Sequence, residues 1–550
     1  MTIELDTLSY ALLTSIVGAA ALLSVRNSKA PDIHPLLLNT QSDVSRLRHP
    51  EESAVYRSRM YPMGTPLCST FDRSIRTMAE FYRLGGLEKN KSAAFLAQDN
   101  NAHYSNYDDI GKRVPCVYQG LRSIAELVPQ SGDENSFVGI YARNSLYTIL
   151  TEIACHRNGL VTVPVSASAS ITHLSHVIEK TALKVLLTDA GLLDQVLLLA
   201  KGSLLKKLIV FGQASAKDKQ QAQAIGIELL SFEELEARGK TASYEAVTVA
   251  PGDIASIYFS SQHDSKNGVV LTQKNLLASV SSYLLVVPPQ QRVTPKDRLV
   301  LNLPIDNVFG HVLVAAVSLL GGSIAFGKDI DDEQSIDVAA SLACIAEAKP
   351  TIFASGSAFL HQVKQLIQSR YGKSFLFKRG FGIKEGYLKE SRLVEDCKYD
   401  MLVFRDIRKT LFGGNLRLIF IDNDDNTDPA LATFLRAVLS VQVLQAFNTT
   451  ETTSSITSSM FYDYNAIPEA KGAPLPCNEV KLIDVPERSL HAEDSPNPRG
   501  EIWVRGNNVF GGYYNDEAAT SEVLDADGWY ATGYLGEALA NGTFKIIGKK

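Results

Sequence analysis

An α/β fold with two doubly wound βαβ lobes and a small β-rich lobe is what this 550-residue sequence predicts, preceded by a transmembrane helix. Three observations carry the prediction. From Phe137 onward, short β-branched runs alternate with helical stretches of about 10–15 residues, the signature of a parallel sheet covered on both faces. The same texture restarts after Asp253. From about Ala473 it gives way to short strands separated by turns.

Residues 7–25, TLSYALLTSIVGAAALLSV, are 19 consecutive uncharged residues. As a helix they would extend about 28 Å, close to the thickness of a bilayer's hydrocarbon core. Glu4 and Asp6 precede the run and Arg26 and Lys29 follow it, which argues against a cleaved signal peptide and keeps the rest of the chain in the cytosol. The expectation is an anchor over 1–30. Ser9, Thr14, Ser15 and Gly18 weaken it and leave open a helix packed on the protein's own surface. A polar lead-in with prolines at 31, 35 and 50 covers 31–60. The main domain is expected over 61–545, with lobes at about 61–250, 251–470 and 471–545. In the first lobe FVGIYA, LVTVPV, KVLLTD and KKLIVFG read as strands between helical segments; in the second IASIYF, RLVLNLP, LRLIFI and VQVLQAF do; in the third EVKLIDV, GEIWVRG and TFKIIG.

Composition narrows the function classes. The chain is 45% hydrophobic and 21% charged with a net charge of −6, so it has material for a sizeable core and lacks the basic footprint of a nucleic-acid binder. Its six cysteines lie far apart with no CxxC pair, which points to reduced thiols and neither a disulfide scaffold nor a zinc module. The GxxxxGK[ST] and GxGxxG phosphate motifs are absent. Gly380, Gly382 and Gly386 have the wrong spacing and read as a turn, and the acidic stretch 422–428 lacks the glycine and glutamate of a calcium loop.

In open α/β sheets ligands sit at the carboxyl ends of strands, which singles out two loops. After IASIYF, the segment Ser260-Ser261-Gln262-His263-Asp264-Ser265-Lys266-Asn267-Gly268 reads as a strand-to-helix crossing. It offers hydroxyls, backbone N–H groups and one lysine to a polyphosphate, although any polar loop of this kind does so. After VQVLQAF, Phe447, Thr450 and Glu451 offer an aromatic face for a base, a hydroxyl for phosphate and a carboxylate for Mg²⁺. The alternative there is an ordinary helix start capped by Thr449 or Thr450.

Taken in order, VGIYARN (138–144), LVTVPVS (160–166), DIASIYFSS (253–261), YDMLVF (399–404), LRLIF (416–420), PLPCNEVKLIDVPE (474–487), RGEIWVRGNNVFGGYYND (499–516) and DGWYATGYLGE (527–537) resemble the AMP-forming adenylating superfamily. Within it they are similar to the long-chain fatty acid–CoA ligases, or acyl-CoA synthetases. The resemblance implies the family's large N-terminal domain and a two-step reaction. A long-chain fatty acid attacks Mg-ATP to give acyl-AMP, and coenzyme A then displaces AMP. It implies Phe447 on adenine, Thr450 on phosphate and Glu451 on Mg²⁺, with Thr450 and Glu451 as catalytic residues. Ser260, Ser261, Lys266 and Gly268 would then line the pyrophosphate loop.

The same resemblance exposes departures. The family's loop, approximately YTSGTTGxPKG, reads FSSQHDSKNG here, without its internal glycines and with Lys266 displaced by one position. Asn307 stands where the family has His, the 422–428 stretch replaces a Gly-Ala-Ala-Pro turn, and Tyr534 replaces the Asp that holds the ribose. The hinge at 546–550 ends the sequence, so the C-terminal domain that supplies the adenylation lysine and much of the coenzyme A site is expected to be absent. The expected function is therefore a fatty acid–CoA ligase-like protein with impaired catalysis. The alternatives are a non-catalytic lipid- or partner-binding pseudoenzyme at the membrane, or a truncated gene product. Without an SKL tail, the endoplasmic reticulum ranks ahead of the peroxisome.

Overall fold

The computed structural model describes residues 6–27, 30–84, 90–95, 105–129, 136–245, 247–259, 267–327, 337–423, 428–467 and 469–550. Their strands form three sheets. The first is seven-stranded, in the order Glu228–Ser231, Lys207–Phe211, Val185–Asp189, Phe137–Ala142, Val161–Ser166, Ile254–Tyr258, Val269–Thr272. All its pairs are parallel except the last. From Phe137–Ala142 the chain steps to Val161–Ser166 on one side, crosses to wind outward from Val185–Asp189 to Glu228–Ser231 on the other, and returns to Ile254–Tyr258 beside Val161–Ser166, which is the doubly wound arrangement expected. Every residue of Phe137–Ala142 and of Val161–Ser166 is buried, as continuous apolar runs between two helical layers must be. Local signals agree with the global ones: Ser145 and Thr148 form a capping box that starts the helix Leu146–His156.

The second seven-stranded sheet runs Ser323–Phe326, Arg298–Asn302, Ile352–Gly356, Leu418–Asn423, Gln442–Thr449, Ser454–Ser458, Ala473–Pro474. It is parallel as far as Gln442–Thr449, after which two strands return antiparallel. One hydrophobic core reaches from the first lobe through this sheet to Val480, Ile502 and Phe544 of the third lobe.

The third sheet is antiparallel, in the order Ser42–Val44, Tyr56–Ser58, Asn478–Ile483, Arg499–Gly506, Tyr530–Ala538, Phe544–Lys549. Its first two strands come from the stretch expected to be only a polar lead-in. At three residues each, SDV and YRS are too short to show a period; SDV pairs with YRS, and YRS joins a lobe more than 400 residues away.

Three further expectations change. The segment after Gly268, expected to open a helix, begins as the strand Val269–Thr272, and the helix Gln273–Val286 starts only after the Thr272 cap. The loop before it therefore joins two antiparallel strands, not a strand to a helix. Gly380, Gly382 and Gly386 lie within the helix Phe375–Lys389, not in a turn. Gly380 is where that helix meets Phe404 and Tyr399, since a Cβ there would come within 2.9 Å of both rings' side chains.

The N-terminal helix forms over Thr7–Asn27, but the transmembrane span is not supported: among the described residues no helix is long and apolar enough to cross a membrane. Its polar breaks are satisfied locally. Thr14 donates to the Tyr10 carbonyl at 2.7 Å and Ser15 to that of Ala11 at 2.8 Å. It does not pack on the protein's own surface either, because Leu8, Leu12, Leu13, Ile16, Val17 and Leu22 are each more than half exposed.

Candidate functional site

The carboxyl end of Gln442–Thr449 carries most of the candidate residues. The strand turns back at once into Ser454–Ser458, so no helix follows and neither Thr449 nor Thr450 is a helix cap. Thr453 and Ser454 take positive φ values of 48° and 97°, costly for residues with a Cβ. Asn508 holds them there. Its amide donates to the Thr452 carbonyl at 2.8 Å, and its own carbonyl accepts from the Thr453 hydroxyl at 2.6 Å.

This turn places Thr450 and Glu451 at a half-exposed edge. The Glu451 carboxylate accepts from the Tyr513 phenol at 3.1 Å, and its backbone carbonyl accepts from Phe510 N–H at 2.7 Å. Phe510 packs edge-on against both Tyr513 and Tyr530, so three aromatic rings surround the carboxylate. Burial, reinforced by the negative charge of Glu451, holds the Tyr513 and Tyr530 phenols well above their ordinary titration range.

The same 510–514 segment ties in Gly268. Its carbonyl accepts from Tyr514 N–H at 2.7 Å, and Val270 exchanges backbone bonds with Gly511 and Gly512. Glycine is required at 268 by packing: a Cβ would lie 2.6 Å from the Phe259 ring. Ser260, Ser261 and Lys266 fall outside the described residues, so of the predicted phosphate loop only Gly268 is placed.

Phe447 is buried, and its ring is met edge-on by Tyr534 at 5.1 Å between centroids. Lys549 lies over the other partner, 5.1 Å from the Tyr534 ring. Tyr534 is the residue that stands in place of the family's ribose-binding Asp. The remaining departures join a single hydrogen-bonded chain. Asp422 accepts from Asn307 on one oxygen and from Asn448 on the other, both at 2.5 Å. Asn448 in turn accepts from Ser455, which also bonds the buried Tyr283 phenol. Asn307 additionally caps the helix Val308–Leu319 through Gly310 N–H.

The residues fit the implied groups unevenly. A carboxylate beside a hydroxyl is what Mg²⁺ uses when phosphate oxygens and water complete its shell, so Glu451 and Thr450 fit a metal–phosphate group. Among the described residues no three His, Cys, Asp or Glu side chains could hold a metal ion unaided. The adenosine end does not fit, since Tyr534 covers part of Phe447 and offers no carboxylate to a ribose.

Comparison with known proteins decides the family. The AMP-binding enzyme family matches residues 89–514. The chain belongs to that family. Among curated members, it is 30% identical over 432 residues to long-chain-fatty-acid–CoA ligase 5 of Rattus norvegicus, covering 76% of this chain and 60% of the relative. It is 27% identical over 506 residues to long-chain-fatty-acid–CoA ligase 1 of Homo sapiens, covering 90% and 70%. Solved AMP-binding folds superpose on it: a long-chain-fatty-acid–CoA ligase of Archaeoglobus fulgidus with a TM-score of 0.64 at 17% identity, covering 88% of this chain and 86% of that one. The adenylation domain of a carboxylic acid reductase from Segniliparus rugosus, solved with AMP, gives 0.64 at 19%, covering 86% and 74%.

Residues that sequence reasoning missed are Phe510, Tyr513, Tyr530 and Asn508, which position Glu451 and its turn. The signal was present, since all four lie within stretches that carry the family resemblance. Sequence order alone gives no reason to bring them to Glu451.

Proposed function

We propose that this AMP-binding family member is a long-chain fatty acid–CoA ligase homologue that retains the acid-binding scaffold and the metal–phosphate end of the site but is impaired in adenylating the acid. The observation that carries this is Tyr534: it replaces a ribose-binding carboxylate with a ring and sets that ring against Phe447, the expected adenine platform. The substrate class follows the names of the relatives, long-chain-fatty-acid–CoA ligases. Glu451 and Thr450, held at a half-exposed edge by Tyr513 and Asn508, favour a second reading, a working ligase using Mg-ATP and coenzyme A. Differential scanning calorimetry of the full chain separates the two. Saturating ligand at a hundredfold its Kd stabilises by about 2.7 kcal/mol. The impaired reading expects that response from a long-chain fatty acid and none from millimolar Mg-ATP. ATP–pyrophosphate exchange dependent on fatty acid would overturn it.

The exposed apolar side chains of the helix Thr7–Asn27, with Arg26 near its end and Lys29 after it in sequence, support contact with a membrane's cytosolic face. Leu13→Asp with Val17→Asp is expected to release the chain from vesicles; unchanged binding would refute this attachment.

A further inference from the structure

Outside the site, large apolar side chains come to the surface together at one place in the second lobe. Phe375 and Leu376, at the start of the helix Phe375–Lys389, are 72% and 43% exposed. Met401 and Leu402, in the π-helical turn Asp400–Phe404, are 67% and 61% exposed. The two elements are packed neighbours: Phe377 and Phe404 have ring centroids 5.6 Å apart, Arg379 donates to the Tyr399 hydroxyl at 3.2 Å, and Lys384 pairs with Asp400 at 2.6 Å. Their inward residues form a core, while Phe375, Leu376, Met401 and Leu402 are apolar at outward positions that would ordinarily be polar.

The charge around this patch is one-sided. Between Arg370 and Arg379 there are four cations and no acid. Lys398, Arg405 and Lys409 add exposed cations on the residues flanking the second element, against the exposed acid Asp406. Asp400 is buried between Lys384 and Arg408, and Glu395 and Asp396 lie on the connecting loop. A basic rim of this kind on a chain of net charge −6 matches an anionic surface, and apolar tips inside a basic rim match the boundary between lipid headgroups and acyl chains.

The segment that follows the N-terminal helix meets the body at the far end of Phe375–Lys389. Asp32 N–H donates to the Ser391 carbonyl at 3.1 Å, and the Asp32 carboxylate accepts from Leu393 N–H at 3.1 Å and from the Tyr464 hydroxyl at 2.7 Å. Residues 391–393 belong to the loop joining the two patch elements. From Asn27 to Asp32 is five residues, which extend at most about 17 Å. The apolar helix is therefore tethered to the loop that joins the two patch elements.

We propose that Phe375, Leu376, Met401 and Leu402, with Lys373 and Lys378, form a second membrane-contact face that docks on anionic lipid and sets the orientation of the body on the bilayer. This rests on the reading of Thr7–Asn27 as a membrane-contact helix. The test is sedimentation of the full chain with vesicles of phosphatidylcholine alone and of phosphatidylcholine mixed with phosphatidylserine. The substituted residues are exposed, so the fold should persist; the melting temperature checks this. Phe375→Asp with Met401→Asp is expected to lower partition onto the anionic vesicles by about tenfold or more. Lys373→Glu with Lys378→Glu should lower it by about fivefold per lysine, and only on the anionic vesicles.

Unchanged partition of both patch variants, alongside loss in Leu13→Asp with Val17→Asp, would overturn the second face and leave the helix reading standing. Loss in the patch variants with no effect of the helix variant would refute the helix reading and leave the patch as the lipid contact. If light scattering shows a dimer that Phe375→Asp with Met401→Asp dissociates while vesicle binding is unchanged, the face joins two copies and the proposal fails.

Discussion

Replacing Tyr534 by Asp tests the functional reading at its narrowest point. The substitution removes the ring that meets Phe447 at 5.1 Å and restores a carboxylate where the family resemblance places one. An edge-to-face aromatic pair contributes about 0.5–1.5 kcal/mol beyond its buried area, so the variant should lose roughly that much stability. Against this, a charged acceptor for the ribose hydroxyls contributes about 1.5–3 kcal/mol to binding. Converted to affinity, that gain is about 10- to 160-fold for Mg-ATP. Tyr534→Ala is the control, because it uncovers Phe447 without supplying the acceptor and should gain less. Isothermal titration of Mg-ATP into the three proteins reads the effect directly. If Tyr534→Asp binds no tighter than Tyr534→Ala, the lost carboxylate is not what weakens the site. If the unsubstituted protein already binds as tightly as Tyr534→Asp, Tyr534 does not obstruct the nucleotide and the impaired reading fails.

Glu451→Gln removes the charge that, after burial, holds the Tyr513 phenol up, so spectroscopic titration should show a tyrosine moving down towards its ordinary range; no movement would separate the two residues. Asp297 is buried, which alone would raise its pKa, but Arg417 at 2.9 Å and the Thr351 and Thr294 hydrogen bonds hold it below the usual carboxylate value. A depressed folded pKa stabilises the protein above about pH 4 and ceases to do so as pH falls through the folded value. Urea unfolding at neutral pH should thus show Asp297→Asn weaker by about 1–3 kcal/mol, a modest figure because Arg417 stays partly solvated, and the gap should close in acid. Cys68, Cys155, Cys397 and Cys477 are buried, with burial pushing the Cys477 thiol up to about 12, whereas Cys116 and Cys344 are partly exposed. A thiol reagent should therefore modify Cys116 and Cys344 in the native protein and the other four only after denaturation; equal rates for all six would contradict the packing.

What the sequence makes legible follows from how local each signal is. The strands Phe137–Ala142 and Val161–Ser166 are read easily because both faces are buried and the apolar run is continuous. Ser42–Val44 and Tyr56–Ser58 are not, because they are strands by pairing with each other and, through Tyr56–Ser58, with Asn478–Ile483. The helix Phe375–Lys389 is hidden by its glycines, which lower helix propensity by about 1 kcal/mol each. Gly380 is nonetheless needed for the contact with Phe404. The Thr7–Asn27 run reads as a span because length is counted before its hydroxyls and glycine are. At the site, Thr450 and Glu451 are found from their position after a strand, while Tyr513 is not, because a distance of 3.1 Å across 62 residues leaves no local pattern.

The departures at Asn307, in the 422–428 stretch and at Tyr534 can be weighed together once their partners are known. Unrelated losses would leave polar groups stranded, at about 1–3 kcal/mol for each buried group without a partner. Here Asn307 and Asp422 bond each other, Asp422 also takes Asn448, and Asn448 takes Ser455. Each stands where the resemblance places a feature of the family's nucleotide site, and Asn307 and Asp422 satisfy one another. Tyr534 follows the same logic with apolar surface, packing edge-to-face with Phe447 while Lys549 lies over its own ring. A site bonded in this way satisfies its own polar groups without a nucleotide. Under the impaired reading proposed above, that favours a protein maintained for what the scaffold binds over one that has lost an activity and gained nothing in its place.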